Sequence, residues 1–245
     1  MKALILAAGR GSRMHHMTDE KPKCLVELGG KPLLAWQMSA LREAGVQTIA
    51  AVTGYRAESL RGHGLTLFDN PHWSRTNMVS SLMCAQAWFD DGPVIVSYAD
   101  IFYPAQVVSA LLAAPADIAV AYDPKGYELW AERFENPLDD AETFRLEGDR
   151  IIEIGQKPRH KDQVQGQYMG LLKITPGGWH AISAYLTSLT AELVTKLDMT
   201  SLLSQLIGRG QRLQAVAVAS AWGEVDNPDD LALYETMIAQ GRLHP

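Results

Sequence analysis

Hydrophobic and polar positions along the chain fall into two alternating rhythms over its first half. Residues 3–6 form a short, wholly apolar run, the mark of a strand buried on both faces. Residues 33–44 carry apolar side chains at helical spacing and stop at Gly45, which predicts a helix with a glycine C-cap. The β-rich stretch 48–52 leads to Gly54, and 65–68 reads as a further short strand. A helix is predicted over 78–89, ended by Asp91-Gly92-Pro93. A strand follows at 94–98, a helix at 104–112 and a strand at 118–122. Strand–helix alternation of this kind predicts an α/β fold, a Rossmann-like and mostly parallel sheet flanked by helices.

Beyond Asp123 the pattern changes. Residues 142–146 and 150–154 flank Glu147-Gly148-Asp149 and read as a hairpin. A strand is expected at 167–174, helices at 176–189 and 200–207, a strand at 213–218, and a closing helix at 229–239 capped by Asp226 or Asn227. The expectation is one domain over residues 1–245. Residues 124–175 would form a small inserted antiparallel lobe.

Composition sharpens this by exclusion. The 245 residues are 47% hydrophobic and 20% charged, an ordinary globular mixture. The formal charge of −6 argues against a nucleic-acid partner. The apolar run at 3–8 is too short for a signal peptide, and no stretch is long enough for a membrane span. Cys24 and Cys84 are far apart and lack metal-ligand spacing, so two reduced thiols in a cytoplasmic protein, monomer or homodimer, are expected. The adjacent His15 and His16 read as loop surface, and the other five histidines form no cluster.

The chemistry concentrates after the first strand. In Leu6-Ala7-Ala8-Gly9-Arg10-Gly11-Ser12-Arg13, small residues allow backbone N–H groups to approach a phosphate, and Gly9 and Gly11 can adopt positive φ. Arg10 and Arg13 supply paired donors for phosphate oxygens, and Lys21-Pro22-Lys23 adds two cations on a stiff turn. No Gly-Lys-Ser/Thr follows, so this is not a P-loop. The third glycine of a dinucleotide fingerprint is also missing. Asp100, just past the strand at 94–98, lies where open α/β sheets collect ligands, and a carboxylate there can hold Mg²⁺. Asp226 precedes the last helix. Asn77, Ser80 and Ser81 open a helix and offer amide and hydroxyl partners to a base.

Residues 3–34, from the glycine loop through Lys21-Pro22-Lys23-Cys24-Leu25 to Gly30-Lys31-Pro32-Leu33-Leu34, resemble the sugar-nucleotidyltransferase superfamily. The resemblance implies that the loop, with Leu6, Ala7, Ala8, Gly9, Gly11, Ser12 and Gly54, wraps a nucleoside triphosphate. It also implies that Arg13 and Lys23 are catalytic and stabilise the departing pyrophosphate, and that Asp100 and Asp226 bind Mg²⁺. Where the superfamily usually places Gly-Asp or Asp-Ala-Asp, this chain has Tyr98-Ala99-Asp100, so Tyr98 joins the nucleotide set in place of an acid. The run from Asn70 to Leu82 is similar to the phosphocholine cytidylyltransferase branch, which implies that Asn77 and Ser81 border the base of CTP.

The blocks at 129–144, 153–157 and 165–171 look like a subgroup acting on small phosphorylated or phosphonate compounds carrying an amine or amino acid, including bacterial capsule-modification enzymes that make CDP-linked glutamine. Trp130 and Tyr168, near the acids Glu128, Glu132, Glu135, Asp139 and Asp140, suit an ammonium group. Arg133 and Lys157 suit the acceptor's phosphate. Gln156-Lys157-Pro158 stands where sugar-nucleotide relatives have Glu-Lys-Pro. Three other readings stay open: a sugar-1-phosphate nucleotidyltransferase using UTP or dTTP, a non-catalytic nucleotide-sensing domain of the same fold, and an interaction module of a larger synthase.

Overall fold

The computed structural model describes residues 1–218 and 221–244. One nine-stranded sheet organises them. Its strands, in chain order, are β1 (Lys2–Ala7), β2 (Thr48–Thr53), β3 (Thr66–Asp69), β4 (Val94–Tyr98), β5 (Ile118–Asp123), β6 (Phe144–Glu147), β7 (Arg150–Ile154), β8 (Gln167–Ile174) and β9 (Leu213–Ala217). The spatial order is β3-β2-β1-β4-β8-β5-β9-β7-β6. The β3, β2, β1 and β4 quartet is parallel throughout.

Alternation along β1 explains how both faces are covered. Ala3, Ile5 and Ala7 enter one apolar core, while Leu4, Leu6 and Ala8 enter the other. The first core receives α1 (Leu33–Glu43) and α3 (Ala105–Ala113). The second receives α2 (Met78–Cys84), α5 (Pro176–Thr187) and α7 (Met199–Gly208). A third, smaller cluster joins Met14, Val26, Phe102, Val225 and Tyr234 beneath the loops at the sheet's carboxyl edge. Tyr234 belongs to α8 (Pro228–Ala239), whose start is closed by a reciprocal capping box between Asn227 and Asp230.

The expected α/β sheet with helices on both faces is present, and the structure adds three particulars. The antiparallel strands expected over 124–175 are built into the main sheet. The β6–β7 hairpin extends the far edge of the main sheet, and β8 lies antiparallel in its middle, between β4 and β5. The near-continuous burial of β8 is the physical reason, since such a strand needs cover on both faces. The helix expected at 78–89 stops at Cys84 and continues as a tight 3₁₀ turn at Gln86–Phe89. Two short helices, α4 (Gly126–Arg133) and α6 (Ala191–Lys196), escaped the periodicity. In α4 only Gly126 and Trp130 are buried, and α6 buries no residue, so neither displays an apolar stripe. No helix among the described residues is long and apolar enough to cross a membrane.

Candidate active site

The glycine loop leaves the carboxyl end of β1 and turns back through Gly11, whose φ of 68° is left-handed. A Cβ at Gly11 would stand 2.8 Å from Cβ of Lys23, so glycine permits the loop to close over that lysine. The 3₁₀ turn Ser12–Thr18 follows, and Thr18 Oγ1 donates to the Gly11 carbonyl at 3.1 Å. Pro22 is extended, and its carbonyl accepts from Leu25 at 2.9 Å, which fixes the short turn Lys23–Leu25. Cys24 in that turn is buried, and burial pushes its thiol up to about 12, so it is inert.

A cavity of about 320 Å³ opens beside the loop. Leu6, Ala7, Ala8, Gly9, Gly11 and Ser12 form one wall, with Arg13 and Lys23 at one end. Asn77, Ser81 and Tyr98 line the remainder, together with Trp73, Thr76 and Met78, which the sequence reading did not assign. Asn77 caps α2 by accepting from Met78 N at 2.7 Å, and Ser81 accepts from the buried Asn70 at 3.0 Å. Gly54 does not line the space. A Cβ there would meet Trp73 Cβ at 2.6 Å and the Ala8 carbonyl at 2.7 Å, so Gly54 lets Trp73 pack against the loop.

The acidic residues converge through a two-stranded ribbon. Ile101–Phe102 pairs antiparallel with Gly223–Glu224, and Val225 N donates to the Asp100 carbonyl at 2.9 Å. Positions 126 apart in sequence are thereby brought together: Asp100, Glu224 and Asp226 each present an oxygen within 4.8 Å of the others. Lys23 Nζ lies 2.8 Å from Asp100 Oδ2 and 2.5 Å from Asp226 Oδ1, and Arg13 Nη2 is 2.9 Å from the same Asp226 oxygen. Burial disfavours the charged lysine, yet Asp100 and then Asp226 outweigh it and raise the Lys23 pKa. Burial also works against Asp226, but Lys23 and Arg13 prevail and lower it. Glu224 goes the other way: burial first, then Asp226 and Asp100, push its carboxyl up to about 8. Glu224 was not singled out from the sequence. Its position two residues before Asp226 on extended chain, hence on the same face, was the available signal.

A second cavity, of about 270 Å³, adjoins the first, and Arg13 and Tyr98 line both. Trp130, Tyr168 and Trp222 supply its aromatic walls. Asp140, Glu142 and Asp198 supply carboxylates, and none of these three forms an ion pair among the described residues. Of the acids expected here, only Asp140 is on that wall, where it accepts from Trp130 Nε1 at 3.0 Å. Gly170, with φ of 72°, breaks the β8–β5 register and lets the Tyr98 ring lie against the strand. Two expected acceptor residues are placed elsewhere. The Arg133 side chain is wholly buried and its guanidinium is taken by Asp230 and Glu224. Lys157 donates to the Leu138 carbonyl at 2.7 Å and to that of Asp139, outside the cavity lining. Both side chains bond to other parts of the chain.

A glycine-rich loop at the carboxyl end of the sheet's parallel part, facing a carboxylate cluster, has the layout of a ligand-binding crevice in an α/β enzyme. The chain belongs to the MobA-like NTP transferase domain family, whose model matches residues 3–193, and it is a nucleotidyltransferase. A CTP:phosphoglutamine cytidylyltransferase of Campylobacter jejuni is 34% identical over 94% of this chain and 98% of its own length. The inositol-1-phosphate CTP transferase of T. maritima covers all of this chain, and 98% of its own, with a TM-score of 0.76 at 18% identity. The CTP:phosphocholine cytidylyltransferase of Streptococcus pneumoniae covers 97%, and 98% of its own chain, with a TM-score of 0.71, also at 18% identity. The two structural likenesses bear on the fold.

Proposed function

We propose that the enzyme transfers CMP from CTP to a small acceptor that carries a phosphate or phosphonate and a protonated amine, and releases pyrophosphate. The observation that carries this is the meeting of two cavities at Arg13 and Tyr98, with Lys23, Asp100 and Asp226 at the junction. The first cavity receives the nucleotide, its triphosphate along the glycine loop and its base towards Asn77 and Ser81. The second receives the acceptor. An acceptor oxygen forms a bond to the α-phosphorus at the junction, and the bond from that phosphorus to the bridging oxygen of pyrophosphate breaks. Arg13 and Lys23 neutralise the charge that develops on the leaving group, and positioning does the rest, with no covalent enzyme intermediate. The likeness to a phosphoglutamine cytidylyltransferase supports both the choice of CTP and the acceptor class.

The carboxylate cluster fits a divalent cation: its donors are hard oxygens, and Asp100 Oδ1 is buried with no hydrogen-bond partner among the described residues. Asp100 and Asp226 would hold Mg²⁺, which when bound supplies further charge neutralisation on phosphate oxygens. For the acceptor's amine, Asp140, Glu142 and Asp198 offer negative charge in the cavity that Trp130, Tyr168 and Trp222 also line. A sugar 1-phosphate brings no cation to balance those three acids, which favours the amine reading over the sugar one. Small charged substrates of this kind and two free thiols suit a cytoplasmic enzyme.

The test is a screen of CTP, UTP and dTTP against phosphorylated glutamine, 2-aminoethylphosphonate, phosphocholine and sugar 1-phosphates, with released pyrophosphate measured. CTP with an amine-bearing acceptor is expected to be turned over fastest. Pyrophosphate release only with sugar 1-phosphates, or from no pair, would reject the proposal.

A further inference from the structure

Arg133 has the most tightly defined surroundings of any charged residue outside the reacting groups. It ends α4, and its side chain is 0% exposed. Nε and Nη2 make a fork with the two Asp230 oxygens at 2.8 and 2.9 Å, while Nη1 reaches Glu224 Oε2 at 3.3 Å. Asp230 is itself buried, and its Oδ2 also accepts from the backbone N–H of Asp226 at 2.9 Å and of Asn227 at 3.3 Å. One guanidinium therefore fixes the Glu224 side chain directly and the Asp226 main chain through a single carboxylate. Trp130, one turn earlier on α4, lines the acceptor cavity and lies 4.5 Å from the same guanidinium.

Glu224 and Asp226 repel one another, and the ribbon's pairing fixes their backbone without itself holding the Glu224 carboxylate. The fork opposes that. A planar guanidinium can bind Asp230 through two parallel bonds and still spend a third donor on Glu224. A lysine ammonium at the same place carries the charge without that geometry. We propose that Arg133 is a positioning residue: it holds the Glu224 side chain and the Asp226 main chain so that Asp226, with Asp100, keeps the orientation that takes one divalent cation, and it ties the acceptor-cavity helix to that cluster. This rests on the reading of the carboxylate cluster as a metal site.

The test uses Arg133→Lys in the full chain. Mn²⁺ binding to the nucleotide-free protein is followed by electron paramagnetic resonance, CTP binding without divalent cations by calorimetry, and folding by circular dichroism. Groups that orient metal ligands typically change metal affinity by about 10–100-fold when lost. The Mn²⁺ dissociation constant is therefore expected to rise at least about tenfold, while metal-free CTP affinity stays within about twofold, because Arg133 lies outside the nucleotide cavity. Mn²⁺ affinity within twofold of wild type overturns the proposal. Should Arg133→Lys fail to fold, Asp230→Asn breaks the same fork and takes the same readout, with the same outcomes expected and excluded. If the wild-type protein itself does not bind Mn²⁺, the metal reading fails and takes this proposal with it. A wild type that binds alongside an unaffected variant overturns the role of Arg133 alone.

Discussion

Replacing Lys23 by methionine keeps most of the side-chain volume and removes the one ammonium that touches both Asp100 and Asp226. Two consequences follow, and they separate. The first is on stability. One oxygen from each carboxylate of the cluster lies within 4.8 Å of the others, so without Lys23 two ionised groups are left repelling by about 3 kcal/mol at an effective dielectric of about 20. Arg13 remains on Asp226 and offsets part of this, but its side chain is 68% exposed and solvent weakens its hold. A net loss of about 2 kcal/mol after that offset corresponds to a fall in Tm of about 4–8 °C in a chain of this length. Mg²⁺ should return part of that loss, because a cation on the same carboxylates stabilises the folded state by mass action. The second consequence is on turnover. Losing a preorganised donor for developing phosphate charge costs about 10²–10³-fold in kcat, and Mg²⁺ does not replace it. Differential scanning fluorimetry with and without Mg²⁺, beside a pyrophosphate-release assay, reads both. A Tm within about 2 °C of wild type under both conditions, or turnover within about tenfold, would refute the reasoning.

Gly11→Ala forces a Cβ to within 2.8 Å of Lys23 at a left-handed φ, so kcat is expected to fall at least about tenfold as the lysine is displaced; unchanged kcat would count against the loop–lysine closure. Gly170→Ala meets the Tyr98 ring at 2.8 Å, and it should raise KM for both substrates because Tyr98 borders both cavities, which substrate-saturation kinetics would show. Glu142→Gln is expected to raise acceptor KM and to stabilise the free protein in a pH-dependent way. Burial raises the Glu142 carboxyl above its ordinary 4.5, so its contribution to stability is fully present below that pH and is lost as pH rises through the raised value. Tm measured from pH 4 to 7 should show the glutamine variant gaining on wild type as pH rises, and a gain independent of pH would contradict the assignment.

Several features were legible in the chain itself because each is a local consequence of residue type. β1 is apolar on both faces, so it had to be a buried strand. Gly9, Gly11 and the following Arg13 and Lys23 mark a tight cationic turn after β1, since small residues let the chain fold back over the lysine. Asn227 and Pro228 announce the start of α8 because capping chemistry is short-ranged. Three things depended on distant partners and had no local signature. β8 was readable as a strand, but its place between β4 and β5 is set by which neighbours can cover both of its apolar faces. The second cavity draws Trp130, Glu142, Asp198 and Trp222 from four separate segments, and no spacing rule links them. Arg133 shows the difference most plainly. As a residue type it suits an acceptor phosphate, and only its burial against Asp230, 97 positions away, turns it from the substrate towards the carboxylates. Charge and hydrogen-bonding capacity belong to the residue, but what satisfies them is decided by the packing that brings partners within about 3 Å.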